Sequence, residues 1–402
     1  MPPRRANRKN ARNVPDLDDL DLVEAARGET GLSDFGGESF REGLSVLTRA
    51  LEAEADLHAT GQRAARGRLL ALLKNRLRIV DWCRRHPEIE AQPVEAPIFV
   101  VGLPRTGTTA LATLLAQDPD TRALRTWESA HPIPPPEAAT QHGDPRIARV
   151  QAGIDATYAA RPEMRTMYDA SATGSTECQD LLGMEFRTWH FCGDWRVPRY
   201  DAWQRECDME PAYRFHRRTL ALLQWRCPPT RWLLHAPVHL LSLEALGRIY
   251  PDARFVMTHR DPARAVASSA SLISFMRSLA SDRRDPRELG RGQAELWVLA
   301  LERALRFRDC VGEARFADVP FRDLLADPVA AAERACERLG IALRAPARAR
   351  MRAWAEAHPR GRHGEHRYRL ADFGLDAADL GARFAIYRER FGAALEPAGG
   401  AA

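Results

Sequence analysis

Apolar residues return every three or four positions between Phe40 and Arg85, first as Leu44, Leu47 and Leu51, then as Leu69, Leu72, Leu73 and Leu77. That spacing lays a stripe along a helix and predicts two or more amphipathic helices packed on a larger body. Pro93 and Pro97 close this pattern, and Ile98-Phe99-Val100-Val101-Gly102 opens another, a short apolar run that reads as a strand. Further strand candidates are 231–235 (RWLLH), 253–259 (ARFVMTH) and 314–320 (ARFADVP), with helical spacing between them at 239–249, 262–280 and 288–311. The alternation predicts an α/β fold, a parallel β-sheet flanked by helices, with the earlier helices as an N-terminal extension. Residues 127–230 break the rhythm with Pro132, Pro134, Pro135 and Pro136 and then many aromatics. They are expected to lie as loops and helices over the ends of the sheet, where such folds place ligands.

The chain divides into a disordered basic tail (1–15), a helical region (16–95), a main α/β domain (96–392) and a disordered tail (393–402). Its 402 residues, 45% apolar and 28% charged, describe a globular protein able to bury a large core. A net charge of +5 is modest for this length, so no nucleic-acid partner is expected. Lys9 and Lys74 are the only lysines, so an anion site in the main domain must use Arg, His, hydroxyls or backbone N–H groups. No window approaches the roughly 20 apolar residues of a membrane span. The N-terminal MPPRRANRKNARNV lacks the apolar centre of a signal peptide, and a cytoplasmic location is expected. Seven scattered cysteines include no C-x-x-C pair, so neither a disulfide frame nor a metal site is expected.

The chemistry concentrates in two stretches. FVVGLPRTGTTALATLL (99–115) has the form of a phosphate loop between a strand and a helix but lacks the lysine of G-x-x-x-x-G-K-[ST]. Glycines let the backbone approach an anion, and successive N–H groups at a helix start point toward it. Thr106, Gly107, Thr108 and Thr109 supply that cradle, with Thr108 and Thr109 adding hydroxyls and Arg105 a planar cation suited to paired oxygens. THRDPARAVASS (258–269) offers a second anion site, with Arg260 at a strand end and Ser268 about two turns into the helix that Pro262 can begin.

Two phosphate sites without the ATP lysine suit a donor phosphorylated at both ends of its ribose, and here the chain resembles the sulfotransferase family. TGLSDFGGESFREGL, PIFVVGLPRTGTTAL, RWLLHAPVHL, DARFVMTHRDP and HPRGRHGEHRY are similar to segments of a bacterial subfamily. The resemblance implies a P-loop-like fold and 3′-phosphoadenosine 5′-phosphosulfate as co-substrate. The loop around Arg105 would hold the 5′-phosphosulfate, and Arg260 with Ser268, eight residues on, the 3′-phosphate. A late glycine- and cation-bearing loop closes over that phosphate in the family, a role carried to Arg360, Gly361 and Arg362. The subfamily usually reads LKSPVH where this chain has Leu234-His235-Ala236-Pro237-Val238-His239, so His235 replaces a lysine and would titrate. In another branch an aromatic follows the loop threonines and stacks on adenine; here that residue is Ala110.

Sulfuryl transfer needs aligned acceptor and leaving group, stabilised oxygens and a base for the acceptor proton. Arg105 suits the leaving phosphate. The resemblance makes Glu128, in RTWES, the leading base, since related enzymes place a glutamate shortly after the loop helix. His235 is the next candidate and His239 a weaker one. Glu177, Asp180 and Glu185 read as a solvated helix face. The acceptor, a small molecule or glycan, stays open: Trp189, Phe191, Trp195, Tyr200, Trp203, Tyr213 and Phe215 fit a flat acceptor's wall or a core equally.

Two other readings compete. A kinase is suggested by His259-Arg260-Asp261 and Asp372-Phe373-Gly374, yet the kinase asparagine five residues after the aspartate is Val266 here. A small-molecule kinase or other nucleotide-dependent transferase is the runner-up. A catalytically inactive nucleotide-binding homologue is the other, favoured by His235 and Ala110.

Overall fold

A computed structural model describes residues 17–359 and 367–395. Five strands, β1 (Ile98–Gly102), β2 (Thr121–Ala123), β3 (Arg231–His235), β4 (Arg254–His259) and β5 (Phe316–Pro320), form one all-parallel sheet. The order is β2-β3-β1-β4-β5. Every residue of β1 is buried, as expected of a central parallel strand covered on both faces.

Alternate strand residues feed different cores. Phe99, Val101, Trp232, Leu234, Phe255 and Met257 face a large cluster, whereas Ile98, Val100, Leu233 and Val256 face a smaller one with the loop helix α4 (Thr108–Leu115). The large cluster also takes in the N-terminal helices α1 (Asp19–Thr30), α2 (Phe40–Glu54) and α3 (Ala59–Arg85). The Leu44, Leu47, Leu51 stripe of α2 and the Leu69, Leu73, Leu77 stripe of α3 are fully buried there. Arg76 of α3 reaches through this layer to Glu185, with Nη1 2.6 Å from Oε1. Breaking such a buried pair from one side costs on the order of 3–5 kcal/mol. The N-terminal region is thereby tied to the segment that covers the site.

The predicted strands and helices recur with small boundary shifts. The 239–249 pattern is split by Ser242 into a 3₁₀ turn (Pro237–Leu241) and a helix (Leu243–Ile249). β2 gave no sequence signal because three residues are too short for a period. At the C-terminus a 3₁₀ turn spans Gly392–Ala394 and Leu395 is buried, so the chain packs past the boundary expected at 393. The tail expected at 1–15 and the remainder of the one expected from 393 lie outside the described residues.

Candidate functional site

The connection after β1 runs toward β2 on one side and that after β4 toward β5 on the other, so the carboxyl ends of β1 and β4 flank the switch point of the sheet. Gly102 pairs with Thr258 across these two strands. A Cβ at Gly102, whose φ is +149°, would lie 2.2 Å from Thr258 Oγ1, so only glycine allows this approach. Gly107 (φ +91°) caps α4 without offering a side chain to its first-turn N–H groups, which leaves them for an anion.

Arg105 is a non-glycine residue in left-handed conformation, with φ +66°. Its carbonyl accepts from Arg260 Nη1 at 2.8 Å, and its guanidinium donates to Met167 O at 2.7 Å and to Ser268 Oγ at 3.3 Å. The two predicted anion motifs therefore meet in one crevice. Burial, and then the charge of Arg260, lower the Arg105 pKa, and no carboxylate pairs with Arg105 among the described residues. A half-buried guanidinium close to a second cation is what a multiply charged anion would stabilise. Arg260 also stacks over Phe321, 4.3 Å from the ring centre.

The remaining loop residues divide. Thr106 is fully buried and its hydroxyl is taken by Leu103 O and Thr258 Oγ1, both at 2.6 Å, so only its backbone faces the cradle's task. Thr109 lines a cavity of about 940 Å³ that opens beside Arg105, while Thr108 is buried. Ser268 meets Arg105, whereas neighbouring Ser269 donates to Gln293 Oε1 at 3.0 Å and serves the helix packing. Arg360, Gly361 and Arg362 lie outside the described residues; the Tyr368 hydroxyl donates to Arg264 O at 3.3 Å.

Glu128, the leading base expected from the sequence, has both carboxylate oxygens hydrogen-bonded. Its side chain is fully buried, one oxygen 2.7 Å from Arg122 Nη2 and the other accepting from Arg125 N at 3.2 Å. It caps the Thr126–Ala130 helix and neutralises Arg122, whose guanidinium lies 5.0 Å from the Trp232 ring centre. Both oxygens are committed and neither faces the cavity, which is the geometry of a structural carboxylate.

His235, at the end of β3, is also fully buried, and burial pushes its pKa down to about 4. Near neutral pH the ring is uncharged, so it supplies no replacement for a lysine's cation and does not titrate near 6.5 as expected. Nδ1 lies 3.4 Å from Ser175 Oγ, and Nε2 has no partner among the described residues. His239 is buried against Tyr213, its Nδ1 2.9 Å from the hydroxyl, and belongs to the core.

Glu177, passed over as part of a solvated face, behaves differently. Thr176 N donates to Leu124 O and Cys178 N to His235 O, which fixes this segment across the ends of β2 and β3. Burial raises the Glu177 pKa, and its charge acts on Tyr168, a cavity-lining residue. Asp180 is bound by Arg68 at 3.0 Å and Glu185 by Arg76, so neither is solvated helix surface. The aromatics resolve as core: Trp189, Phe191, Trp195, Tyr200, Tyr213 and Phe215 are buried, Trp203 is partly so, and none lines the cavity.

The all-parallel sheet with a glycine-rich loop at its switch point defines an α/β domain of the phosphate-loop kind. Residues 97–345 match the profile of the Sulfotransferase family. The structure of sulfotransferase STF1 from Mycobacterium tuberculosis H37Rv is 33% identical with a TM-score of 0.83, over 92% of this chain and 99% of that one. Sulfotransferase STF9 from Mycobacterium avium is 31% identical with a TM-score of 0.87, over 96% and 98%. A search of the curated proteins found no match. The chain belongs to the sulfotransferase family, and its general chemistry is sulfuryl transfer. Among the described residues no helix is long and apolar enough to cross a membrane, and no group of three or more His, Cys, Asp or Glu could hold a metal ion.

Proposed function

We propose that this enzyme transfers the sulfuryl group of 3′-phosphoadenosine 5′-phosphosulfate to a hydroxyl of a small-molecule or glycan acceptor. The observation that carries the reading is Arg105, half-buried beside Arg260 and Ser268 with no carboxylate partner among the described residues. A donor with phosphates on both sides of one ribose would reach both arginines. The loop N–H groups and the Thr108 and Thr109 hydroxyls hold the 5′ end, and Arg260 with Ser268 the 3′-phosphate. Arg105 sits between them and stabilises charge growing on the leaving phosphate.

The acceptor oxygen attacks sulfur, the bond from sulfur to the 5′-phosphate oxygen breaks, and the bisphosphate leaves with that electron pair. The acceptor proton would pass to Glu177, two residues from the cavity-lining Ser175 and raised in pKa by burial, which makes it a stronger base than an exposed carboxylate. His235, neutral and next to Ser175, is the alternative proton acceptor. Incubating the enzyme with the donor and a panel of phenols, alcohols and glycans tests the reading. Release of adenosine 3′,5′-bisphosphate with sulfated product is expected; transfer from ATP with none from the sulfated donor would overturn it.

A further inference from the structure

The proposed donor carries a purine, and Ala110 provides no ring to hold it. The cavity beside Arg105 is bounded on one side by α4, which presents Ala110 and Thr113 from one helical face, with Gln117 in the turn that follows. The facing wall is the Ala345–Ala357 helix and the residue after it, presenting Arg350, Trp354 and His358 at four-residue intervals. The same helix buries Ala347 and Met351 completely in the smaller core, which anchors it. Trp354 is half-buried, and its ring stacks on that of His358, with centroids 4.6 Å apart and planes 12° apart. His358 Nδ1 lies 2.8 Å from Trp354 O, a bond that holds the imidazole over the indole. Small side chains on one wall thus face a parallel pair of flat rings on the other, with the phosphate loop at the end of the gap. About 940 Å³ lies within the range of cavities that enclose a nucleotide-sized ligand.

We propose that Trp354, braced by His358 and flanked by Arg350, is the surface on which the donor's purine stacks, replacing a ring at position 110. The proposal rests on the nucleotide-donor reading above. Trp354 touches the base, not the reacting atoms, so it sets donor affinity and base preference while the loop sets turnover. It lies beyond the 97–345 stretch that matches the family profile.

Calorimetric titration of wild type, Trp354→Leu and Trp354→Phe with adenosine 3′,5′-bisphosphate, cytidine 3′,5′-bisphosphate and inorganic pyrophosphate separates the possibilities. Leucine keeps a smaller apolar contact with the core and removes the π face. Stacking predicts that Trp354→Leu weakens the adenosine ligand about 10- to 100-fold, that Trp354→Phe recovers most of the loss, and that pyrophosphate binding is unchanged. The cytidine ligand, with the smaller ring, should lose less. Equal adenosine affinity in wild type and Trp354→Leu would overturn the assignment, as would a parallel loss of pyrophosphate, which would make Trp354 a support of α4. A wild type that binds neither bisphosphate would instead refute the donor reading itself.

Discussion

Two regions around the cavity are built differently. At the β1–β4 crevice the ligand-directed groups are largely backbone, held by Gly102, a left-handed Arg105 and Gly107, with two arginines in register behind them. Behind another part of the cavity lining, from Arg122 to Glu185, lie side chains whose polar groups are mostly spent on one another: Glu128 on Arg122, Asp180 on Arg68, Glu185 on Arg76. A backbone cradle leaves a spacing in the sequence, because only certain residues permit it. A wall of mutually satisfied side chains leaves none. A carboxylate there is free for chemistry or locked in structure according to partners scores of residues away.

Substitutions should separate the two regions. The largest effect is expected at Glu177. As the base it must be ionised, and its raised pKa means that the rate climbs with pH above the ordinary carboxylate range. Glu177→Gln should lower single-turnover transfer by about 10² to 10⁴ and remove that limb, with donor affinity kept. A fully active variant would pass the role to His235.

Glu128→Gln should act on stability instead. It leaves Arg122 buried opposite a neutral group, a loss on the order of 3 kcal/mol. Denaturant unfolding should show a lower midpoint, while transfer by the folded fraction stays near wild type; an intact midpoint with lost turnover would restore Glu128 as the base. Arg260→Ala comes next: it should raise the donor KM about tenfold or more with a smaller change in kcat, since Arg260 holds the donor in ground and transition states alike. Some fall in kcat is expected because Arg260 also fixes the Arg105 carbonyl.

A last effect concerns pH and the buried imidazoles. Burial holds His235 at about 4 and His216 at about 3, and His239 well below its ordinary value. Unfolded, each would titrate near 6.5. The unfolded chain therefore takes up protons that the folded one refuses, so stability is full above about pH 6.5 and falls as pH drops toward 4, by about 1–3 kcal/mol per histidine. Urea midpoints at pH 7 and pH 5 should differ in this direction, and His216→Phe should shrink the difference.

Sequence legibility follows the same division. The all-buried β1 run, the glycine spacing and the Arg260–Ser268 interval marked the crevice, because each is a local constraint. The stripes of α2 and α3 were equally plain. The seven aromatics of 189–215 were ambiguous, since a ring that lines a pocket and one that fills a core have the same composition; their burial against α2 and α3 decided it. The sequence ranked Glu128 above Glu177 with no sight of the partner that holds the first or the burial that raises the second, since both arise from tertiary packing. His235 looked like a titrating cation for the same reason.

The central claim, that β1 and β4 together hold a ribose bisphosphate, is tested most directly by calorimetric titration of wild type and Arg105→Ala with adenosine 3′,5′-bisphosphate, adenosine 5′-monophosphate and ATP. The account predicts micromolar binding of the bisphosphate to wild type. Removing the 3′-phosphate, or Arg105, should weaken it by about tenfold or more, the scale of a lost charge-assisted contact. ATP binding as tight as the bisphosphate, or a bisphosphate affinity indifferent to Arg105, would contradict it.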